Sequence, residues 1–344
     1  MIVISLKRLL RKCPINLTRN LPWKQWAIFL AHVFLYLIVY WLYGGIFTLF
    51  FIFCVEATEL LYKLEDVFVY HPVIPTHSRI YVPSPSMFSL PYQTIYIHSK
   101  DGTILHSFFI SQPGEEAKQS PTILYLHGNA GNIGHRLINV SGLYHKVKCN
   151  ILVLEYRGYG FSQGTPTESG LYMDAQAGLD YLLSRNDINT NEIIVFGRSL
   201  GGAVAIDLAA NYNKQRIWCL ILENTFTSIP EMASVLIGYK IIKYLPLICY
   251  KNKFTSTDKV ASLNVPTLFI SGLADTLVPP HMMTELYNKC KCNYKKLLTI
   301  EGGTHNETWV QTDYYKHLVE FISQLREKPR TFDDNSCHYF MDNI

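Results

Sequence analysis

Charge is scarce in this sequence. Asp, Glu, Lys and Arg make up 17% of 344 residues, against 49% hydrophobic positions. That balance excludes a disordered chain, because there is apolar surface enough for a sizeable core. It also gives nucleic-acid binding little support. The net charge is only +4, and six basic residues (Lys7, Arg8, Arg11, Lys12, Arg19 and Lys24) crowd into the first 24 positions, leaving the remainder close to neutral. Patterned cysteine is missing as well. The spacings of Cys149, Cys219, Cys249, Cys290, Cys292 and Cys337 form no disulfide framework, and the one close pair, Cys290-x-Cys292, lacks the further ligands of a zinc site. Internal repeats and low-complexity tracts are absent, which excludes a solenoid.

What is present first is a long apolar run. Residues 26–55 read WAIFLAHVFLYLIVYWLYGGIFTLFFIFCV, longer than the ~20 residues that cross a bilayer. A buried core helix of this length would keep a polar face. A cleaved signal peptide would be shorter and followed by a small-x-small site. The segment therefore reads as an uncleaved signal anchor between a basic N-terminus (1–25) and a juxtamembrane connector (56–91), with the lipid bilayer as its partner. Six Lys/Arg precede it, whereas Glu56, Glu59, Glu65 and Asp66, with only Lys63, come closely after it. Positive-inside bias then predicts a cytoplasmic N-terminus, a type II topology, and a lumenal or extracellular C-terminal part. A break at Gly44-Gly45 would return that part to the cytoplasm, but would leave a second segment of only about ten apolar residues, half of what a span needs. Sequons at Asn139 and Asn306 are the glycosylation candidates under a lumenal topology.

Beyond the Pro-rich connector ending at Pro91, short β-branched and aromatic runs alternate with stretches of helical period. Strands are expected near 93–98, 104–110, 122–126, 151–155, 192–196, 217–222, 266–271 and 296–300. Helices are expected at 132–146, 168–184, 200–212, 280–290 and 308–326. A hairpin through Asp101-Gly102 followed by β-α alternation predicts an α/β domain over 92–327, with a mostly parallel sheet covered on both faces and ligands at the carboxyl ends of its strands. Residues 225–259 interrupt the rhythm with an apolar insertion, either ordinary helical packing or a cap over a pocket for an apolar group. Residues 328–344 form a tail.

The pattern G-x-S-x-G occurs twice, around Ser162 and around Ser199. A nucleophilic serine sits on a strained strand-to-helix turn whose flanking glycines let the backbones crowd. Only Ser199 has both neighbours: the buried-strand run EIIVF before it and the helix-opening LGGAVAIDLAA after it. Ser162 is followed by Gln163-Gly164-Thr165-Pro166, which cannot start a helix there, so it reads as a turn residue. Serine needs a histidine base oriented by a carboxylate. Asp275 lies just past the strand TLFISG and His305 in a glycine loop after LLTI, so that Ser199, Asp275 and His305 succeed one another at strand ends in the order of a known triad arrangement. Glu223, after CLILE, is the rival acid. His127, in LHGNAGN, suits a structural role beside an oxyanion loop whose backbone N–H donors are Leu200 and Asn129, with Ala130 next in line for the second.

The segments LHGNAGN, EYRGYGFS, FGRSLGG, SGLADTLVP and GGTHNETW together resemble the α/β-hydrolase superfamily and, within it, a single-span membrane-anchored branch. The resemblance runs from the anchor to about residue 325. It implies an eight-stranded sheet, a serine-hydrolase triad at Ser199, Asp275 and His305, a type II topology, and no metal or organic cofactor. Related branches remove fatty acyl groups from proteins. The expected activity is cleavage of a carboxylic ester or thioester on an acylated protein or lipid-like substrate, with palmitoyl-protein thioesterase and a non-catalytic membrane-bound module as alternatives.

Overall fold

The computed structural model describes residues 23–211, 216–238 and 244–327; residues 1–22 of the basic N-terminus and the tail 328–344 lie outside them. The chain divides into two compact units, Met1–Lys63 and Leu64–Ile344.

In the first unit the apolar run expected as one span over 26–55 is divided between two helices. Helix α1, Trp23–Tyr43, and helix α2, Gly45–Val69, are separated by Gly44 alone. Gly44 takes φ +81, a conformation glycine adopts without a Cβ penalty. Its carbonyl accepts from both the backbone N–H (3.2 Å) and the hydroxyl (2.8 Å) of Thr48. The second helix continues well past residue 55 because its first charges are partnered on the helix surfaces: Tyr36 donates to Glu56 at 2.8 Å and Lys63 pairs with Glu59 at 2.5 Å. Each helix is long and apolar enough to cross a membrane.

The second unit is built on eight strands: β1 Tyr92–His98, β2 Ile104–Ile110, β3 Thr122–Leu126, β4 Asn150–Leu154, β5 Ile193–Arg198, β6 Cys219–Glu223, β7 Thr267–Gly272 and β8 Lys295–Ile300. Their order is β1-β2-β4-β3-β5-β6-β7-β8. The β1–β2 and β2–β4 pairings are antiparallel and the rest are parallel. A strand buried on both faces is apolar at every position, and β3 shows how the core is divided. Ile123 and Tyr125 join one apolar cluster with Phe196 and Phe321, while Leu124 and Leu126 join the other with Val195, Val204 and Leu222. The chain winds outward in both directions from β3, whose neighbours are β4 and β5. That is the switch point where open α/β sheets keep their ligand crevice.

Two expected helices are modified. Residues 132–146 form a 3-10 turn (Ile133–Arg136), a short α-helix (Leu137–Gly142) and a π turn (Leu143–Val147). Tight packing accompanies the irregularity: a Cβ on Gly134 would sit 2.3 Å from Pro83, and one on Gly142 would sit 2.1 Å from the Tyr315 hydroxyl. The last helix starts at Tyr314, six residues later than expected, after Asp313 takes φ +66. The insertion at 225–259 holds helices Ile229–Ile237 and Ser256–Val260. Its return leg is pinned by carboxylates: Glu168 accepts from the Lys253 and Phe254 N–H groups (2.5 and 2.9 Å), and Glu65 from those of Lys251 and Asn252 (2.8 and 2.7 Å). Its outer end exposes Leu236, Ile237, Leu247 and Ile248.

Candidate active site

Ser199 is the single residue between β5 and the helix Leu200–Asn211. Its φ is +54, a conformation that costs a non-glycine residue of order 1–3 kcal/mol unless its surroundings impose it. They do. The Ser199 N–H donates to the Glu223 carbonyl at 2.9 Å, while its own carbonyl accepts from Thr225 Oγ1 at 2.7 Å and from the Gly202 N–H at 2.9 Å. The glycines are there for contact. A Cβ on Gly197 would lie 2.3 Å from the Gly201 carbonyl oxygen, and one on Gly201 would lie 2.0 Å from that of Leu126.

Two loops meet the serine. His305 Nε2 lies 3.0 Å from Ser199 Oγ, and His305 Nδ1 lies 2.7 Å from Asp275 Oδ2. The other Asp275 oxygen accepts from the N–H groups of Leu277 and Val278, both at 2.9 Å. With Oδ1 held by two backbone donors, Oδ2 is left to face the imidazole. An acceptor at Nδ1 assigns that nitrogen the proton and leaves Nε2 free to accept from the serine hydroxyl. All three side chains are largely buried, in a setting where hydrogen bonds to charged groups are strengthened.

The sequence-based oxyanion donors sit beside this group. A Cβ built on Gly128 would be 3.9 Å from Ser199 Oγ, which puts the 128–129 loop against the hydroxyl. Leu200 opens its helix, and a first-turn N–H has no intrahelical partner. The Asn129 backbone is held from its other side, its carbonyl accepting from the His71 N–H (2.9 Å) and Tyr159 Oη (3.0 Å).

Other candidates are placed elsewhere. Glu223 is fully buried; it accepts from Tyr314 Oη and faces Arg198 Nε at 3.5 Å. Burial pushes its carboxyl up from the ordinary range, against the pull of Arg198. His127 is buried too, with Nδ1 2.7 Å from the Gly128 carbonyl and Nε2 3.1 Å from Glu155 Oε1. Ser162 Oγ donates to the Glu155 carbonyl and accepts from the His106 N–H, both at 2.9 Å. The sequon at Asn139 is corrected. Asn139 is 4% exposed, and its amide nitrogen donates to Tyr315 Oη at 3.3 Å, so the folded domain has no room for a glycan there. Asn306 is exposed, but its Oδ1 accepts from Arg198 Nη2 at 2.8 Å.

Two residues that sequence reasoning passed over hold the histidine loop. Arg198, the variable residue before Ser199, donates from Nη2 to the His305 carbonyl at 2.7 Å. Asn224 donates to the Thr304 carbonyl (3.2 Å), to the His305 carbonyl (3.4 Å) and to Thr308 Oγ1 (2.9 Å), and accepts from the Gly272 N–H at 2.8 Å. Their adjacency to the ends of β5 and β6 is a signal. Their partners in the histidine loop, 80 to 108 positions away, are not readable from it.

A mostly parallel eight-stranded sheet with a strained serine between its central strand and the next helix defines an α/β-hydrolase. A profile of the alpha/beta hydrolase fold matches residues 121–238. The chain is 40% identical to the alpha/beta hydrolase domain-containing protein WAV2 of Arabidopsis thaliana, over 81% of this chain and 94% of that protein. It is 38% identical to protein bem46 of Schizosaccharomyces pombe, over 78% and 89% respectively. An uncharacterized membrane protein of Saccharomyces cerevisiae is 31% identical, over 77% and 91%. Among solved structures, an esterase of Pyrococcus furiosus matches with a TM-score of 0.59 at 19% identity, covering 75% of this chain and 97% of that one. This chain belongs to the α/β-hydrolase family.

Proposed function

We propose that the protein is a membrane-anchored serine hydrolase that cleaves carboxylic ester or thioester bonds by way of an acyl-enzyme. The observation that carries this reading is the relay of 2.7 and 3.0 Å from Asp275 through His305 to Ser199. In this mechanism Ser199 Oγ attacks the acyl carbonyl as Nε2 takes its proton. The carbonyl oxygen becomes an oxyanion facing the Leu200 and Asn129 N–H groups. The imidazolium then protonates the departing alkoxide or thiolate, and water, deprotonated by the same nitrogen, releases the acid. Asp275 keeps the imidazole in one tautomer and stabilises its cation. No step calls for a metal or organic cofactor.

The apolar end of the 225–259 insertion and the N-terminal anchor favour acylated or lipid-like substrates. A palmitoyl-protein thioesterase is the narrower version of that reading. A binding module that retained the fold would have no need for both carboxylate oxygens to be committed and the serine backbone strained. On a single crossing the basic flank puts the hydrolase domain in the lumen or outside. The break at Gly44 removes the continuous thirty-residue helix on which that orientation rests.

A fluorophosphonate probe tests the mechanism. It is expected to label the wild-type protein and not Ser199→Ala. Labelling that persists in Ser199→Ala and disappears in Ser162→Ala would assign the nucleophile to the other motif.

A further inference from the structure

We propose that the N-terminal unit is a two-pass helical hairpin, so that the hydrolase domain lies on the same face of the membrane as the basic N-terminus, the cytoplasmic face. The inference rests on the membrane-anchor reading and replaces its single crossing.

The geometry within residues 23–63 is that of two antiparallel helices. Tyr36 of α1 donates to Glu56 of α2 and packs edge-on against Phe51, ring centroids 6.4 Å apart. Nearer the open end, nitrogen and oxygen atoms of His32, Glu56 and Glu59 lie within 4.8 Å of one another. Nearer still, Ile28 and Tyr62 line one cavity. Contacts that move outward on both helices together, from a one-residue turn at Gly44, describe a hairpin.

Length and charge then choose the side. At ~1.5 Å per residue, the 21-residue α1 is about 32 Å long, enough for a hydrocarbon core of about 30 Å. The two ends of that helix are aromatic: Trp23 and Trp26 at one, Tyr40, Trp41 and Tyr43 at the other, as expected of residues at two membrane–water interfaces. The second helix covers the same distance by Leu64. Its acidic residues inside that length are the ones that bond across to α1 or pair with Lys63, the arrangement under which carboxylates are tolerated in a membrane. Trp41 is 84% and Ile46 79% exposed, apolar surface for which acyl chains are the fitting cover. Lys and Arg count most in orienting a span. Six precede α1 or lie in its first turn, and the turn at Tyr43-Gly44-Gly45 has none, so the turn is the translocated end. The chain emerges at residues 63–66 on the side it entered. The exposed sequon at Asn306 then never meets the lumenal glycosylation machinery, and the hydrolase site faces the cytoplasm, where S-acylated cysteines of cytosolic proteins are within its reach.

The test uses the full-length chain with an epitope at each end, expressed in cells. Alkaline carbonate comes first: release into the soluble fraction would defeat the membrane reading itself. For protein that stays in the membrane, protease added to sealed microsomes is expected to remove both epitopes. Protection of the C-terminal epitope, or a glycosidase-sensitive mobility shift lost in Asn306→Gln, would overturn the hairpin and restore the single crossing. Tyr43→Cys, compared with the unsubstituted chain, reports the turn. A membrane-impermeant maleimide is expected to label it only after the lumenal side is opened. Labelling in intact microsomes, or none on either side, would overturn the two crossings. Retained fluorophosphonate labelling shows that each variant has folded.

Discussion

Two stretches of this molecule share one local pattern and reach opposite ends. Around Ser162 and around Ser199 the sequence places glycines two residues to either side, and both serines come after a strand of the same sheet. The Ser162 hydroxyl is spent: it has a backbone acceptor and a backbone donor, both at 2.9 Å, and 1% exposure. Among the described residues, the Ser199 hydroxyl has an imidazole nitrogen as its one hydrogen-bond partner. The difference begins with the residues on the C-terminal side of each serine. Gly164, at φ +78, and Pro166 continue a loop, whose anchor Arg157 is bound to Asp174 and Asp101 at 2.7 Å each. Leu200 instead starts a helix that lifts the serine clear of its own strand. On the proposed mechanism, a nucleophile is thus made less by its neighbours in sequence than by leaving its hydroxyl without a structural duty.

The largest test of that contrast exchanges the serines' fates. Ser199→Ala is expected to lower turnover by about 10⁶-fold, the scale seen when a triad serine is removed. Ser162→Ala is expected to leave turnover within a few-fold and to cost about 1–3 kcal/mol of stability, because the His106 N–H loses its acceptor. Hydrolysis of a model ester and denaturant unfolding of both variants read the two halves. A Ser162→Ala protein that is fully stable but inactive would reverse the assignment.

Next in size is the choice between carboxylates. Asp275→Asn is expected to reduce kcat by about 10⁴-fold with little change in fold, since it disturbs the imidazole tautomer. Glu223→Gln is expected to act mainly on stability, because Glu223 is bonded to Tyr314 and faces Arg198. Equal losses of kcat in the two variants would erase the distinction.

Arg198→Lys keeps a cation for Glu223 but loses the fork that reaches the His305 carbonyl and Asn306. About a tenfold fall in kcat, with KM and melting temperature nearly unchanged, is the expected result. A change confined to melting temperature would reduce Arg198 to a purely structural role.

The smallest effect lies at the anchor of the Ser162 loop. The Arg157 guanidinium beside Asp101 holds that carboxyl below its usual range. A depressed folded-state value adds stability above the unfolded-state pKa and loses it as pH falls through the folded one. Asp101 is partly exposed, so solvent screening makes the pair's contribution small. Asp101→Asn is therefore expected to lower the melting temperature by a few degrees at most at pH 7, with the gap to wild type closing as the pH falls below the carboxylate range. A gap that widens in acid would contradict the assigned sign.

Much of this was legible in one dimension, and the reasons are local. β2 and β3 have the bounds their residues suggested, 104–110 and 122–126, because short runs rich in β-branched and aromatic residues are bounded by turn signals, Asp101-Gly102 before β2, Pro121 before β3 and Gly128 behind it. The same alternation of runs and helical periods sets the parallel sheet, and the order Ser199, Asp275, His305 comes from where those runs stop. The break at Gly44 was harder to weigh. Apolar composition continues across it, and only the left-handed backbone of one residue, with partners for Glu56 and Glu59 on the helix surfaces, turns one long segment into two helices. The burial of Asn139 is hidden in the sequence for a related reason: a sequon carries no information about it. Arg198, Asn224 and the pairing of Glu223 with Tyr314 depend on residues up to 108 positions apart. Sequence by itself determined the periods, the strand ends and the residue types able to do the chemistry, because those are properties of neighbouring positions. Tertiary structure alone decided which serine is free, which carboxylate faces the imidazole and where the apolar N-terminus turns, because a hydrogen-bond partner or a close backbone approach is set by distance in space.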